Sequence, residues 1–342
     1  MERPGISQIA SRLKLSKTTV SRVVNNTPNS RISEATRAKV LAAVRETGYT
    51  PNLSARALAR ARTNMIALLF VDVTNPSIGE FVMANETRAG DAGFHTILCS
   101  TRASGSREEQ QCQMLRQRGV DGLIIEHLGD HRHLVRMAED GYPFVLLGPC
   151  EEAPWLDYVG FDELEGGRMA ARALVEAGRR RIAHIGGQVG YHGAEERRLQ
   201  GYLDVVKSAG LRAKPEWIFR VEKHEDRAMG RQAGLRLLDL PDRPDGICCY
   251  DDFLALGVFD AARDRGVRIP EELSLIGYGD LAMCSLLPVP LASVHLDMAA
   301  LGREATRVLL EKIEHGSAQD GRQGRLIAPT VVRRESLGPM VN

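Results

Sequence analysis

SKTTVSRVVN, residues 16–25, is the stretch on which the reading of this chain turns. Ser16 can cap a helix by offering its hydroxyl to backbone N–H groups one turn in. From there Val20, Val23 and Val24 share one apolar stripe, while Lys17, Thr18, Ser21 and Arg22 face outward. Upstream, Ile6, Ile9, Ala10 and Leu13 form the matching stripe of a first helix, with Lys14 and Leu15 left for the turn. Two short helices, a tight turn and an outward Lys/Thr/Ser/Arg face have the layout of a helix-turn-helix. The competing interpretation is a small solvated helical hairpin, and the surrounding sequence decides against it.

Charge is distributed unevenly. Residues 1–62 carry twelve Lys and Arg against three Glu, a net +9, so the remainder of the chain is −8. A basic head on an acidic body points to a polyanion partner for the head alone. At 342 residues with 43% hydrophobic content, the chain can hold two or three domains with proper cores. The start MERPGISQIA has no apolar run behind a basic patch, and no stretch approaches the ~18 apolar residues of a membrane span. The six cysteines are scattered without a CxxC pair, as expected of reduced core residues in a cytoplasmic protein.

Ser33 opens a third helix carrying Ala35, Val40, Leu41 and Val44, and Gly48 ends it. Pro51 then breaks the chain. The segment 53–61, LSARALARA, is helical in character but too short to hold a helix alone, so its order must come from a partner. From Met65 apolar runs at 65–71, 96–99, 123–125 and 144–147 alternate with helical patterns such as 78–92 and 107–118. The alternation restarts after Gly160 with helices at 163–177, 194–209, 228–238 and 253–265. Strands at 182–185, 218–221, 247–249 and 273–276 lie between and after them, and 325–333 is expected to be a closing strand. Strand–helix alternation of this kind implies buried parallel sheets. The expected fold is therefore α/β: a three-helix helix-turn-helix headpiece (1–50), a hinge helix or linker (51–63), and two doubly wound Rossmann-like lobes (64–342). The first lobe is expected over about 64–160 and 291–320, the second over about 161–290 and 321–342. Between two such lobes a ligand cleft is expected.

Motifs in the order KTTVSRVVNN (17–26), GYTPNLSARALARARTN (48–64), VTNP (73–76), DELEGGRMAA (162–171) and RRIAHIGG (180–187) run through the chain. RLQGY (198–202), YDDFLALGV (250–258) and IPEELSLIGYGD (269–280) complete them. Together they resemble the LacI/GalR family of bacterial transcription repressors over essentially the whole length. The resemblance implies periplasmic-binding-protein-like lobes, a homodimer, a DNA operator and a small-molecule effector: a sugar, a sugar derivative or, second, a sugar acid. It implies no cofactor, no metal and no membrane partner. It places base-edge readout at Lys17, Thr18 and Arg22, where Arg can pair bidentately with guanine. Ser16, Thr19, Ser21, Asn25 and Asn26 would position the backbone. In the hinge, Leu58 would wedge between base steps beside the small Ala57. Effector contacts are implied at Asp72, Asn75, Ser77, Glu126, Arg198, Glu225, Asp251 and Asp280.

This chain departs from the family pattern at several positions. Lys14 stands where the family usually has Gly, and the loop 26–32 is about two residues longer than the commonest form. Gly279 replaces a ligand-binding carboxylate, with Asp280 one residue on. Ser77 and Ile78 replace an aromatic pair, so stacking platforms are thinned, with Trp155 or Tyr191 as possible substitutes. Asp251, Asp252 and Asp280 are better explained as a cleft carboxylate and a helix cap than as a hydrolytic set. His131 and His133 diverge on a helix with nothing nearby to complete a zinc set. IGGQVGYHG (185–193) fits neither phosphate-binding glycine pattern and is expected to be a cleft-edge loop. No nucleophile arrangement emerges, so catalytic residues are not expected. A solute receptor without a DNA role is the alternative for the body, with a cleft hydrolase last.

Overall fold

The computed structural model of the chain describes residues 5–24, 32–49, 62–187, 193–221, 226–316 and 324–340. They belong to two compact units, residues 1–63 and 64–342.

The first unit holds α1 (Ile6–Leu13), α2 (Lys17–Val24) and α3 (Glu34–Thr47). Its small core is Ile9, Ala10, Val20, Val23, Val40 and Ala43. Leu41, expected on the inner stripe, is 41% exposed, and Ala43 is buried instead. A helical period counted from Val40 returns to Ala43 and Val44, which leaves position 41 on the outer face. Lys14 closes α1 in the left-handed region at φ 52°, ψ 39°. A side chain there costs about 1 kcal/mol relative to glycine. Ser33 caps α3 by accepting from Thr36 N, and Gly48 ends it at φ 62°.

In the second unit the chain runs β1 (Met65–Phe70), α4 (Ile78–Asp91), β2 (His95–Ser100), α5 (Gly105–Gln117), β3 (Gly122–Ile125), α6 (Arg132–Glu139), β4 (Phe144–Leu147) and β5 (Tyr158–Phe161). It continues through α7 (Glu163–Glu176), β6 (Ile182–Gly186), α8 (Ala194–Ser208), β7 (Ile218–Arg220), α9 (Arg227–Leu238), β8 (Gly246–Cys249), α10 (Asp252–Arg265) and β9 (Ser274–Gly279). It closes with β10 (Ala292–His295), α11 (Met298–His315), β11 (Gly324–Ile327) and β12 (Thr330–Val332). The first lobe's sheet has the order β11-β5-β4-β3-β1-β2, the second β12-β10-β9-β8-β6-β7. Every pair is parallel except β10 with β12. Strands β3, β4, β6 and β8 are wholly buried, which is why they read as short unbroken apolar runs.

The chain passes between the lobes after β5, after β10 and after β11. The last two passages come later than the expected 291 and 321, because 292–295 pairs with β9 and 324–327 with β5. The single closing strand expected at 325–333 is thus two strands, one in each sheet. Helix α11 was absent from the sequence reading. Its Leu301, Ala305, Val308 and Leu309 pack into the first lobe's core. All six cysteines are free, five of them buried. Among the described residues no helix is long and apolar enough to cross a membrane.

Candidate functional site

Two surfaces follow from this architecture. On the first unit, Ser16 Oγ accepts from Thr19 N at 3.0 Å and fixes the start of α2. Val20 and Val23 point into the core, so Lys17, Thr18 and Arg22 are left exposed along one face. Ser21 and Thr19 are half-buried at the margins of that face. Asn25, Asn26, Ala57 and Leu58, with the 53–61 segment, lie outside the described residues.

In the second unit the carboxyl ends of β1, β3, β4, β5, β8 and β9 converge on a cavity of about 680 Å³ between the lobes. Loops at these strand ends are where an open α/β sheet receives ligands. Asp72, Asn75, Ser77, Glu126, Arg198 and Asp251 all line it. Several also build the wall itself. Asp72 Oδ1 accepts from Thr74 N and Oγ1 at 2.9 and 2.7 Å. Asn75 Oδ1 accepts from Ser77 N and Oγ at 2.9 and 2.7 Å. Glu126 accepts from Val71 N at 2.8 Å, and Asp251 caps α10 by accepting from Leu254 N at 2.7 Å.

Asp280 is not in the cavity wall. After Gly279 (φ 116°) it takes a left-handed turn (φ 56°) that carries its carboxylate to Arg334 at 2.7 Å and His295 at 3.2 Å. Trp155 is 52% exposed and likewise outside the wall. Glu225 and Tyr191 lie outside the described residues. Of the aromatic residues bordering the cavity, Phe161 and Phe253 are half-buried, while Phe70, Tyr250 and Tyr278 are almost wholly buried and both tyrosine rings are taken up by Arg198.

Arg198 is the most constrained group in the cleft. Its guanidinium lies between the rings of Tyr278 (3.6 Å) and Tyr250 (4.3 Å). Nε donates to Glu163 Oε2 at 2.6 Å and Nη1 to the Tyr250 carbonyl at 2.7 Å. Burial opposes the charge, but Glu163, Tyr278 and Tyr250 together more than offset it and hold the guanidinium pKa well above its ordinary value. Burial, with Glu163 adding to it, pushes the Tyr278 phenol well up, so it stays protonated and donates to Glu163 at 2.8 Å. Glu163 is therefore a neighbouring carboxylate that already pairs with Arg198. The sequence reading missed Glu163, Tyr250 and Tyr278, although each lies inside a motif it quoted. Arg197, on the same helix, reaches across the cleft to Glu151 at 2.8 Å.

Within the wall Asp252 is fully buried, accepting from Ser293 Oγ at 2.7 Å and Leu281 N at 2.8 Å. Burial pushes its carboxyl up to about 6, against the pull of these hydrogen bonds. Its native pKa thus lies above the unfolded value of about 3.9. Its contribution to stability is full below that value and lost as pH rises through about 6. The wild-type advantage over Asp252→Asn should fall by about 2–3 kcal/mol across that window. Denaturant titrations at a series of pH values would read it, and a constant difference would remove Asp252 as the cause.

His131 and His133 do diverge, but each meets further candidate ligands, so the expectation that nothing nearby completes a set does not hold. Among the described residues, Glu108, His127 and His133 form one group with metal-ligand spacing, and His131, Cys150 and Glu152 another. The glycines at 186–187 serve packing: a Cβ at Gly186 would lie 2.0 Å from Glu195 Oε1, and one at Gly187 2.7 Å from the Tyr250 ring.

Comparison with known proteins gives the family. The description "Bacterial regulatory proteins, lacI family" matches residues 5–52, and "Periplasmic binding protein-like domain" matches residues 171–337. The chain is 32% identical to the HTH-type transcriptional regulator DegA of Bacillus subtilis (strain 168), covering 98% of each. It is 30% identical to the HTH-type transcriptional repressor PurR of Mannheimia succiniciproducens, covering 97% of this chain and 98% of that one. A solved complex of the transcriptional regulator CelR with cellobiose aligns at a TM-score of 0.73 and 28% identity, covering 98% of this chain and all of the other. The chain belongs to the LacI family of bacterial regulatory proteins, and is a ligand-responsive, DNA-binding transcription regulator rather than an enzyme.

Proposed function

We propose that the protein is a cytoplasmic repressor that binds a near-palindromic operator as a homodimer, and that its cleft takes an uncharged polyhydroxylated effector of the sugar class. The observation that carries the effector class is the Arg198–Glu163 pair. Among the described residues, the one deeply buried cation of the cleft is already neutralised, and the cavity wall holds Asp72, Glu126, Glu163, Asp251 and Asp252 against Arg197 and Arg198. Such a wall repels an anion, which demotes the sugar acid. Carboxylate oxygens accept from hydroxyls, and the half-buried Phe161 and Phe253 offer apolar surface to a sugar ring. Cellobiose in the CelR complex supports the same class. Asp72, Asn75, Ser77, Glu126, Arg198 and Asp251 are the proposed contacts, with Glu225 as an added candidate.

On the DNA side, Lys17, Thr18 and Arg22 read base edges and Ser16, Thr19, Ser21, Asn25 and Asn26 hold phosphates. Ala57 and Leu58 enter the minor groove. One headpiece covers only a half-site, so a two-fold pair of them requires a two-fold operator. PurR's designation as a repressor supports the sign. Effector and operator are linked reciprocally through lobe closure, to which the Arg197–Glu151 pair across the cleft responds directly.

The effector class is tested by calorimetry with neutral mono- and disaccharides beside the matching uronic acids. Binding of the acids in preference to the neutral sugars would overturn it. For DNA, the logarithm of affinity should fall steeply and linearly with the logarithm of salt, because a +9 head releases counterions. Arg22→Ala should cost about 1–3 kcal/mol per half-site and relax specificity at one base pair. Uniform weakening over all sequences would instead make Arg22 a phosphate contact.

A further inference from the structure

Three buried side chains from three separate elements meet behind the first lobe's wall of the cleft. Glu108 lies on α5 and is fully buried, while His127, just after β3, and His133, on α6, are each 6% exposed. Glu108 Oε1 stands 2.7 Å from His127 Nδ1 and 2.9 Å from His133 Nε2. All three atoms lie within 4.8 Å of one another. We propose that Glu108, His127 and His133 form a binding site for a divalent transition metal of the zinc class, with these three atoms as ligands.

Two imidazoles and a carboxylate make a ligand set suited to zinc and its neighbours, and the nitrogen ligands disfavour magnesium and calcium. Tetrahedral bonds of about 2.0–2.1 Å place ligand atoms about 3.3 Å apart. The group therefore has to open by roughly half an ångström, which small side-chain rotations provide. Glu108 places one carboxylate oxygen between the two ring nitrogens. Leu128 N donates to Oε2 at 3.0 Å and orients the carboxylate, as an outer-shell partner does for a metal ligand.

Binding exchanges two N–H···O contacts for two N–metal bonds. A neutral imidazole keeps its proton by moving it through solvent to the opposite ring nitrogen, and an imidazolium releases one. No electron transfer is involved. The rival group is weaker: Glu152 is exposed, and burial pushes the Cys150 thiol up, away from the thiolate that binds metal. The site also has a route to the regulator's response. Glu126 and Leu128 flank His127 and line the cleft, so an ion that parts His127 from Glu108 acts on the same short segment that faces the effector.

The test uses the full chain with Zn²⁺ in calorimetry and Co²⁺ in visible absorption, with Mg²⁺ as the hard-cation control. One equivalent of Zn²⁺ is expected to bind. His127→Gln and His133→Gln should each weaken it at least about tenfold, while Cys150→Ala leaves it unchanged. Glutamine keeps an N–H for Glu108, and thermal melting with operator binding verifies the fold of each variant. The Co²⁺ spectrum of the wild type needs no variant: nitrogen and oxygen ligation gives ligand-field bands alone. Three results would each overturn the proposal: no Zn²⁺ binding, equal binding in both glutamine variants, or a thiolate-to-cobalt charge-transfer band. Mg²⁺ binding as tightly as Zn²⁺ would overturn the metal class.

Discussion

Arg198→Ala is expected to lower the stability of the second unit by about 3 kcal/mol and to weaken the effector at least tenfold. The guanidinium is 10% exposed and its partner Glu163 14%, so solvent screening does little for either charge. Removing one member of such a pair leaves the other charge buried without compensation, a loss of about 3–5 kcal/mol in measured cases. Here Tyr278 still donates to Glu163, which places the loss at the lower end. The Tyr250 carbonyl loses its donor as well, and the two rings lose the group between them. Thermal melting should shift down by roughly 6–12 °C for a unit of this size. A companion variant separates stability from recognition. Arg198→Met with Glu163→Gln removes both charges and keeps most of the volume, so it should recover much of the stability and none of the affinity. Operator binding without effector should survive in both, since α8 belongs to the second unit. An unshifted melt would show that the pair carries no buried charge. Equal effector affinity would remove Arg198 from the site.

What could be read from the sequence, and what could not, follows from the range of each interaction. The helix-turn-helix was legible because its determinants are local: the Val20/Val23 stripe, the Ser16 cap, and an outward Lys17/Thr18/Arg22 face within one short helix. The alternation of buried strands and helices was legible for the same reason. Position 41 was misplaced because a run of apolar residues in α3 offers two stripes, and only packing against α1 and α2 chooses between them. The passages between the lobes were misplaced because strand pairing is non-local. Nothing in 292–295 or 324–327 states which sheet will take it. The cleft shows the same division. The resemblance brought six residues to one cavity, yet it could not show that Glu163, 35 positions before Arg198, takes its charge. Nor could spacing show that His133 meets His127 and Glu108 across three elements. Asp280 left the cleft because two consecutive residues with positive φ redirect the chain, a backbone fact that one extra residue after Gly279 only hinted at.

Gly257→Ala and Gly167→Ala should each destabilise the second unit by about 3 kcal/mol, although both glycines lie within helices. Intrinsic propensity alone predicts the opposite sign, because alanine in a helix interior is favoured over glycine by about 1 kcal/mol. Close packing decides against it. A Cβ at Gly257 would stand 2.2 Å from Arg227 O and 2.3 Å from Arg231 N, and one at Gly230 would stand 2.2 Å from Leu254 O. At the other crossing, a Cβ at Gly167 would stand 2.2 Å from Arg198 O, and one at Gly201 2.2 Å from Leu164 O. In both crossings each glycine faces the carbonyl three residues before its partner glycine, so α7–α8 and α9–α10 pack by the same device. The obstacles are backbone atoms rather than flexible side-chain ends, so relief requires moving a whole helix. Overpacking of this kind costs about 1–3 kcal/mol and occasionally more. Gly90→Ala is the control: a Cβ there meets nothing within 4 Å, and propensity should show as a gain of about 0.5–1 kcal/mol. The two crossings should then differ in function. Gly167 abuts the backbone of Arg198 itself, so Gly167→Ala should weaken the effector as well as the fold. Gly257→Ala, whose nearest neighbours Arg227 and Arg231 do not line the cleft, should weaken the fold alone once melting is allowed for. Denaturant unfolding and effector calorimetry on the three variants check both statements. A stability gain at Gly257 would show that the helices do not approach this closely in solution, and equal effector affinity in Gly167→Ala would separate that crossing from the position of Arg198.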